Sequence, residues 1–295
     1  MMAFPSQPSN QKWRDCLART SANRRGISTL SILPFLIVIA ANLVCGRTES
    51  EEPPPAGEEH EFEELGVNRY TAPSIAQIFK QLDELKPLPF DQLKRDAPPI
   101  TSATREQKAL MFGQLIADGF LLVEAEKRNL IENLGRVLMQ QARALGVGDR
   151  VVRHSASLTE LGRRGEWPRM RQELITTQTD VEQAMIELRD EKVAHLISLG
   201  GWLRGLEICA GTVELDFSPQ HAKILARPDL ADYFANELKT LPPALAQEPL
   251  FEKIRAGVNQ LQPLLNKASD TLTRGDVTTI RGRTRELNDA IRRTE

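Results

Sequence analysis

Leu174, Val181, Leu188, His195 and Trp202 recur at every seventh position, with Pro168 at a first-turn position before them and Met185 and Leu199 on the same side. A seven-residue apolar repeat lays one stripe of a helix against its neighbours, a pattern that no strand can present. Similar spacing runs through most of the chain. Thr71 and Pro73 introduce Ile75, Ile78, Phe79, Leu82 and Leu85 on one helical face. Thr104 with Gln107 fits a capping box ahead of apolar residues that run from Leu110 to Leu145, where Gly146 stops them. That run reads as one long helix, or as two jointed near Lys127-Arg128-Asn129. A shorter helix is expected from Asp149 to Leu161, and two more start at Ser218-Pro219 and Asp229. A stripe from Leu250 to Leu272 carries Pro263, and a last amphipathic helix uses Val277, Ile280, Thr284, Leu287 and Ile291, with Gly275-Asp276 read as stop and N-cap. No segment alternates apolar and polar residues long enough to need a sheet, and fifteen aromatics are few for a β-sandwich or barrel. The expected fold is all-α: an antiparallel multi-helix bundle, its main body over 69–241 and a C-terminal helical hairpin over 242–295 packed on it.

The charge is divided unevenly. Residues 1–47 carry six basic side chains and one acidic one, residues 48–65 carry eight glutamates and no base, and the remainder holds 32 basic and 31 acidic residues. From Gly26 to Gly46 there is no charge, and the centre of that stretch, Leu30 to Ala41, is strongly apolar. At about 1.5 Å per residue, Ile27 to Val44 reaches roughly 27 Å, close to the thickness of a bilayer core. The basic residues precede it, so the positive-inside bias keeps the N-terminus in the cytoplasm and sends the body outward. The expectation is export across the cytoplasmic membrane into a bacterial periplasm or cell envelope. Residues 1–46 would be a signal peptide or membrane anchor, and 47–68 a disordered Glu/Pro-rich linker.

Cys45 ends the apolar stretch and is followed by Gly46 and the acidic linker, an arrangement that resembles bacterial lipoproteins. The resemblance implies that Cys45 is the site of lipid attachment. Asn42 and Val44 stand where that family usually has a leucine and a small residue. Cleavage at a small-residue pair (Val38/Ala40 or Val44/Gly46) and an uncleaved anchor are the alternatives, and all three give one topology. Arg24-Arg25 resembles a twin-arginine signal, without the rest of that motif. Only Cys209 falls in the exported body, so no intramolecular disulfide is available there.

Residues able to do chemistry are sparse. His154, His195 and His221 each stand alone, without His-x-x-x-His, Glu-x-x-His or Cys-x-x-Cys spacing, so no metal site, di-iron centre or covalent haem is read from the sequence. His195 occupies a heptad position and is expected to point into the bundle, as a ligand contact or as a core histidine bonded to a neighbour. Ser198 and Cys209 have no catalytic motif beside them, and Gly146-Val147-Gly148-Asp149 follows a helix, which disqualifies it as a phosphate cradle. Asp118, Glu124 and Glu126 read as a solvated helix face. Gly201, Gly205 and Cys209 recur every fourth residue, as expected where one helix backbone lies close against another. Arg150, Arg153, Arg163, Arg164, Arg169 and Arg171 outnumber Glu160 and Glu166 in one segment, giving either a patch for an anionic surface or a set of internal ion pairs.

The functional expectation is a non-enzymatic, envelope-associated interaction or scaffold module. It has no cofactor, and its partners are the membrane through the N-terminus and an unidentified envelope protein, with nucleic acid not expected. The alternative is a bundle that binds a ligand, metal or haem near His195.

Overall fold

In the computed structural model the described residues are 75–96, 103–188, 190–268 and 270–293; they are all-α, with no strand among them. The apolar stretch, Cys45 and the acidic linker lie outside the described residues. None of the described helices is long and apolar enough to cross a membrane.

The first helix, α1 (Ile75–Glu84), and a single turn at Phe90–Leu93 precede the main body. Five helices then follow in close succession: α2 (Arg105–Glu124), α3 (Arg128–Ala144), α4 (Gly148–Arg164), α5 (Trp167–Leu188) and α6 (Glu191–Leu215). The connections use backbone conformations that end helices. Glu126, Gly146 and Gly165 all have positive φ, at 54°, 84° and 69°. At Gly146 and Gly165 a glycine meets this demand without the Cβ penalty. Leu110 to Leu145 is therefore two helices, jointed beside Lys127.

Successive members of this set run in opposite directions. Gly119 of α2 faces Leu134 of α3, Gly135 of α3 faces Ser155 and Thr159 of α4, and Gly162 of α4 faces Met170 of α5. An up-down series with an odd number of members can close only by bringing two parallel helices together. Here these are α2 and α6. Arg105 pairs with Asp190, Gly113 meets Ile197, and Asp118 pairs with Arg204, so residue numbers rise together along both helices. The result is a ring of five helices around a central space.

The parallel pair is the tightest contact of the ring. A Cβ on Gly113 would stand 1.9 Å from the Ile197 carbonyl oxygen, and one on Gly200 would stand 2.1 Å from that of Leu110. A side chain at either position would force the two helices apart. Of the expected stripe of Gly201, Gly205 and Cys209, Gly201 takes part in this approach, its backbone nitrogen 2.6 Å from where a Gly113 Cβ would stand, whereas a Cβ on Gly205 would meet nothing within 4 Å.

The seven-residue stripe is also divided between two helices. Asp190 caps α6 by accepting a hydrogen bond from the Val193 amide, and Leu188, at the end of α5, is 51% exposed. Aspartate competes well for an N-cap, so the stripe is cut where Asp190 starts a new helix.

The remaining helices cover α6 and α2 from outside. They are α7 (Pro228–Glu237), α8 (Pro249–Leu265) and α9 (Arg274–Arg292), with single turns at Pro219–Ala222 and Pro243–Ala246. α9 opens with Thr273 as N-cap and Asp276 closing a reciprocal capping box, so Gly275 lies inside the helix and Asp276 is not the cap. Its face of Val277, Ile280, Thr284, Leu287 and Ile291 is buried. At its other end the Gln107 side-chain amide donates to the carbonyls of Ile291 and Arg293, two groups that a helix C-terminus leaves without partners. Thr104 accepts from the Gln107 amide as expected, but the Gln107 side chain serves α9 and not the other half of a capping box.

Candidate functional site

The five-helix ring surrounds a partly open cavity of about 230 Å³. Its wall takes residues from every ring helix, among them Phe120 of α2, Leu134 of α3, Leu158 of α4, Leu174 of α5, and Trp202 and Leu206 of α6. Ile224 and Leu225, in the 3-10 turn Lys223–Leu225, and Leu230 of α7 line the same space from outside the ring. Five of the lining residues are glycines: Gly113, Gly119, Gly135, Gly201 and Gly205. Of the five, only Gly205 has nothing within 4 Å of where its Cβ would stand, so its missing side chain adds directly to the space.

Polar groups in the wall are few and largely committed elsewhere. The Thr159 hydroxyl donates to the Ser155 carbonyl and that of Thr177 to the Glu173 carbonyl, each bonding back to its own helix at i−4. Arg227 is held by Asp229, with its Nε 2.9 Å from one carboxylate oxygen. Cys209 also lines the cavity, and burial pushes its thiol up to about 12, so it stays protonated and unreactive at neutral pH. The chemistry that such a wall supports is binding of apolar surface.

His195 does not belong to the cavity wall. Its Nδ1 shares a 2.8 Å hydrogen bond with the Tyr233 hydroxyl and lies 3.6 Å from Glu237, both on α7. Beside it Trp202 stacks on Phe234 with ring centroids 4.7 Å apart. His195 thus sits between α6 and α7, bonded to a neighbour. No group of three or more candidate metal ligands exists among the described residues.

The arginine-rich segment is mostly an ion-paired surface. Arg150 pairs with Glu187, Arg164 with Glu160, Arg169 with Glu166, and Arg171 with both Asp83 and Glu124. Arg153 and Arg163 are exposed and make no ion pair among the described residues. Only these two retain the character of an open cationic patch.

Sequence reading missed the buried charges. Asp118 and Glu124 are not on a wet face: the Glu124 side chain is fully buried against Lys86 and Arg171, and Asp118 accepts from Arg204 at 2.7 Å. Arg204 itself is 1% exposed. Glu207 receives Arg95, Arg204 and the Asn288 amide, and Gln114 completes the set by donating to Asn288. Burial opposes ionisation of Glu207, but the charges of Arg204 and Arg95 hold its carboxyl below the usual range; at Asp118 burial outweighs Arg204 and the carboxyl is raised. This network joins α2, α6 and α9. The available signal was a small one: Arg204 and Glu207 are charged residues three apart inside an otherwise apolar helix.

His154 was also missed as a connected residue. Its Nδ1 lies 2.8 Å from Glu173 and its Nε2 2.8 Å from Asp180, 19 and 26 residues away on α5. No family model, curated protein or solved structure matches the chain.

Proposed function

We propose that this chain is a non-enzymatic binding module that holds an apolar molecule inside the five-helix ring. The supporting observation is the cavity itself, above all Gly205. Glycine inside a helix costs roughly 1 kcal/mol relative to alanine, and it persists where a neighbour needs the room. Nothing lies within 4 Å of where a Gly205 Cβ would stand, so no protein neighbour needs it. An apolar hollow of about 230 Å³ leaves its lining without the contacts that a packed interior supplies, and so costs free energy. An apolar occupant returns that free energy. The reading favours the ligand-binding alternative over a scaffold acting only through its outer faces, and moves the ligand from His195 to the ring interior.

The N-terminal sequence supports placing this module outside the cytoplasmic membrane, tethered through the apolar stretch or through lipid on Cys45. There an apolar ligand would come from the lipid phase. The test is photolabelling of the full-length chain in lipid nanodiscs with a long-chain alkyl diazirine, followed by peptide mapping. Labels are expected on α3, α4 and α6 residues of the cavity wall, and Gly205→Phe, which fills the space, should remove them. Labels that avoid the wall, or that persist unchanged in Gly205→Phe, contradict the proposal.

A further inference from the structure

In the ring α4 stands opposite the glycine contact, and His154 joins it to α5. Ser155, next to His154, and Val151 and Leu158, one turn to either side of it, line the cavity, as do Met170, Leu174 and Thr177 of α5 around its two partners. The His154 side chain is 9% exposed and sits between two carboxylates, one at each ring nitrogen. A neutral imidazole carries one N–H and can donate to only one of them. Both 2.8 Å contacts are satisfied together by the imidazolium, which donates to Glu173 through Nδ1 and to Asp180 through Nε2.

Other charged groups around this seam are accounted for. On α4, Arg150 is engaged with Glu187 of α5, and Arg153 is exposed. On α3, packed against the other side of α4, Arg136 bonds Asn133, Glu132 is exposed, and Arg128 and Arg143 lie at the ends of α4 beside Gly165 and Gly148. None of these makes an ion pair or hydrogen bond with the imidazole.

Resting on the binding proposal above, we propose that His154 is a proton-controlled latch on the cavity: its imidazolium clamps α4 to α5, and loss of the proton frees that wall to admit or release the ligand. Burial alone would lower the basicity of His154, but the hydrogen bonds to Glu173 and Asp180 outweigh it and raise it. A base whose folded value is raised contributes stability that is fully present below its unfolded value and lost as pH rises through the folded one. The clamp therefore holds in mild acid and opens on the alkaline side.

The experiment uses the full-length chain in nanodiscs at about pH 6 and about pH 9, bracketing the ordinary histidine value of about 6.5. Amide hydrogen exchange over 150–180, corrected for intrinsic rates, is measured without probe, and release of a reversible long-chain alkyl fluorophore is measured in parallel. Wild type should exchange and release at least about tenfold faster at the higher pH. His154→Gln should be fast at both, and Asp180→Asn, at a partly exposed position, should show a reduced pH response. Exchange and release that do not change with pH in wild type overturn the latch. Exchange that rises with pH while the fluorophore binds at neither value supports the clamp and overturns the binding proposal.

Discussion

The two sides of the five-helix ring solve the packing problem in opposite ways. Where α2 meets α6, glycines bring backbone onto backbone, and the buried Arg204 network ties α9 across both helices. Where α3, α4 and α5 face α6, Gly205 leaves a hollow, and the seam between α4 and α5 adds surface pairs and one histidine to the contact of Gly162 with Met170. Glycine therefore has contrary meanings within one helix. Gly200 is small because a carbonyl occupies the place of its Cβ, and Gly205, little more than one turn later, is small where nothing does.

The largest effect that would break this contrast comes from Arg204. Replacing it with methionine leaves Asp118 and Glu207 buried without their shared cation, and should cost about 3–5 kcal/mol in denaturant unfolding. A loss below about 1 kcal/mol would mean that the rigid side is not held by charge. Next is a pair of identical substitutions. Gly200→Ala forces Leu110 and its helix away and should destabilise by about 1–3 kcal/mol, whereas Gly205→Ala should stabilise by up to about 1 kcal/mol through helix propensity alone. Thermal melting of both variants checks the signs; equal signs would erase the distinction between the two glycines.

The smallest effect is in pH. Hydrogen bonding to Lys267 and to the Thr273 amide holds the Asp276 carboxyl at about 2. An acid depressed in this way contributes stability above its unfolded value, and loses it as pH falls from about 4 toward about 2. Asp276→Asn should therefore flatten part of the acid loss seen by melting. The rigid side weakens in acid through Asp276 at the start of α9, and the hollow side weakens in base through His154. A chain whose two sides responded to pH in the same direction would not have the division drawn here.

Much of the fold was legible because its signals are local. The Thr104 cap, the stop at Gly146, the Ser218-Pro219 start and the apolar face of α9 each depend on residues within a turn or two, and each is where the sequence places it. The failures are failures of range or of competition. The stripe from Leu174 to Trp202 kept its spacing across Asp190, but spacing cannot show that a cap has won over continuation. His154 finds Glu173 and Asp180 on another helix, Arg204 finds Asp118 from 86 residues away, and nothing in the neighbourhood of any of them announces a partner. The cavity was invisible for a related reason. Gly201 and Gly205 read as a surface for close packing, and only the closure of an odd-numbered ring decides which glycine touches a backbone and which faces a void.

The central claim is that the ring interior holds an apolar molecule, and native mass spectrometry of the full-length chain, purified gently from the cells that make it, tests it most directly. Wild type should carry one apolar adduct per chain, extractable into organic solvent, and Gly205→Phe purified in parallel should carry none. A wild-type chain that flies at its bare mass, or the same adduct on both proteins, would contradict the account.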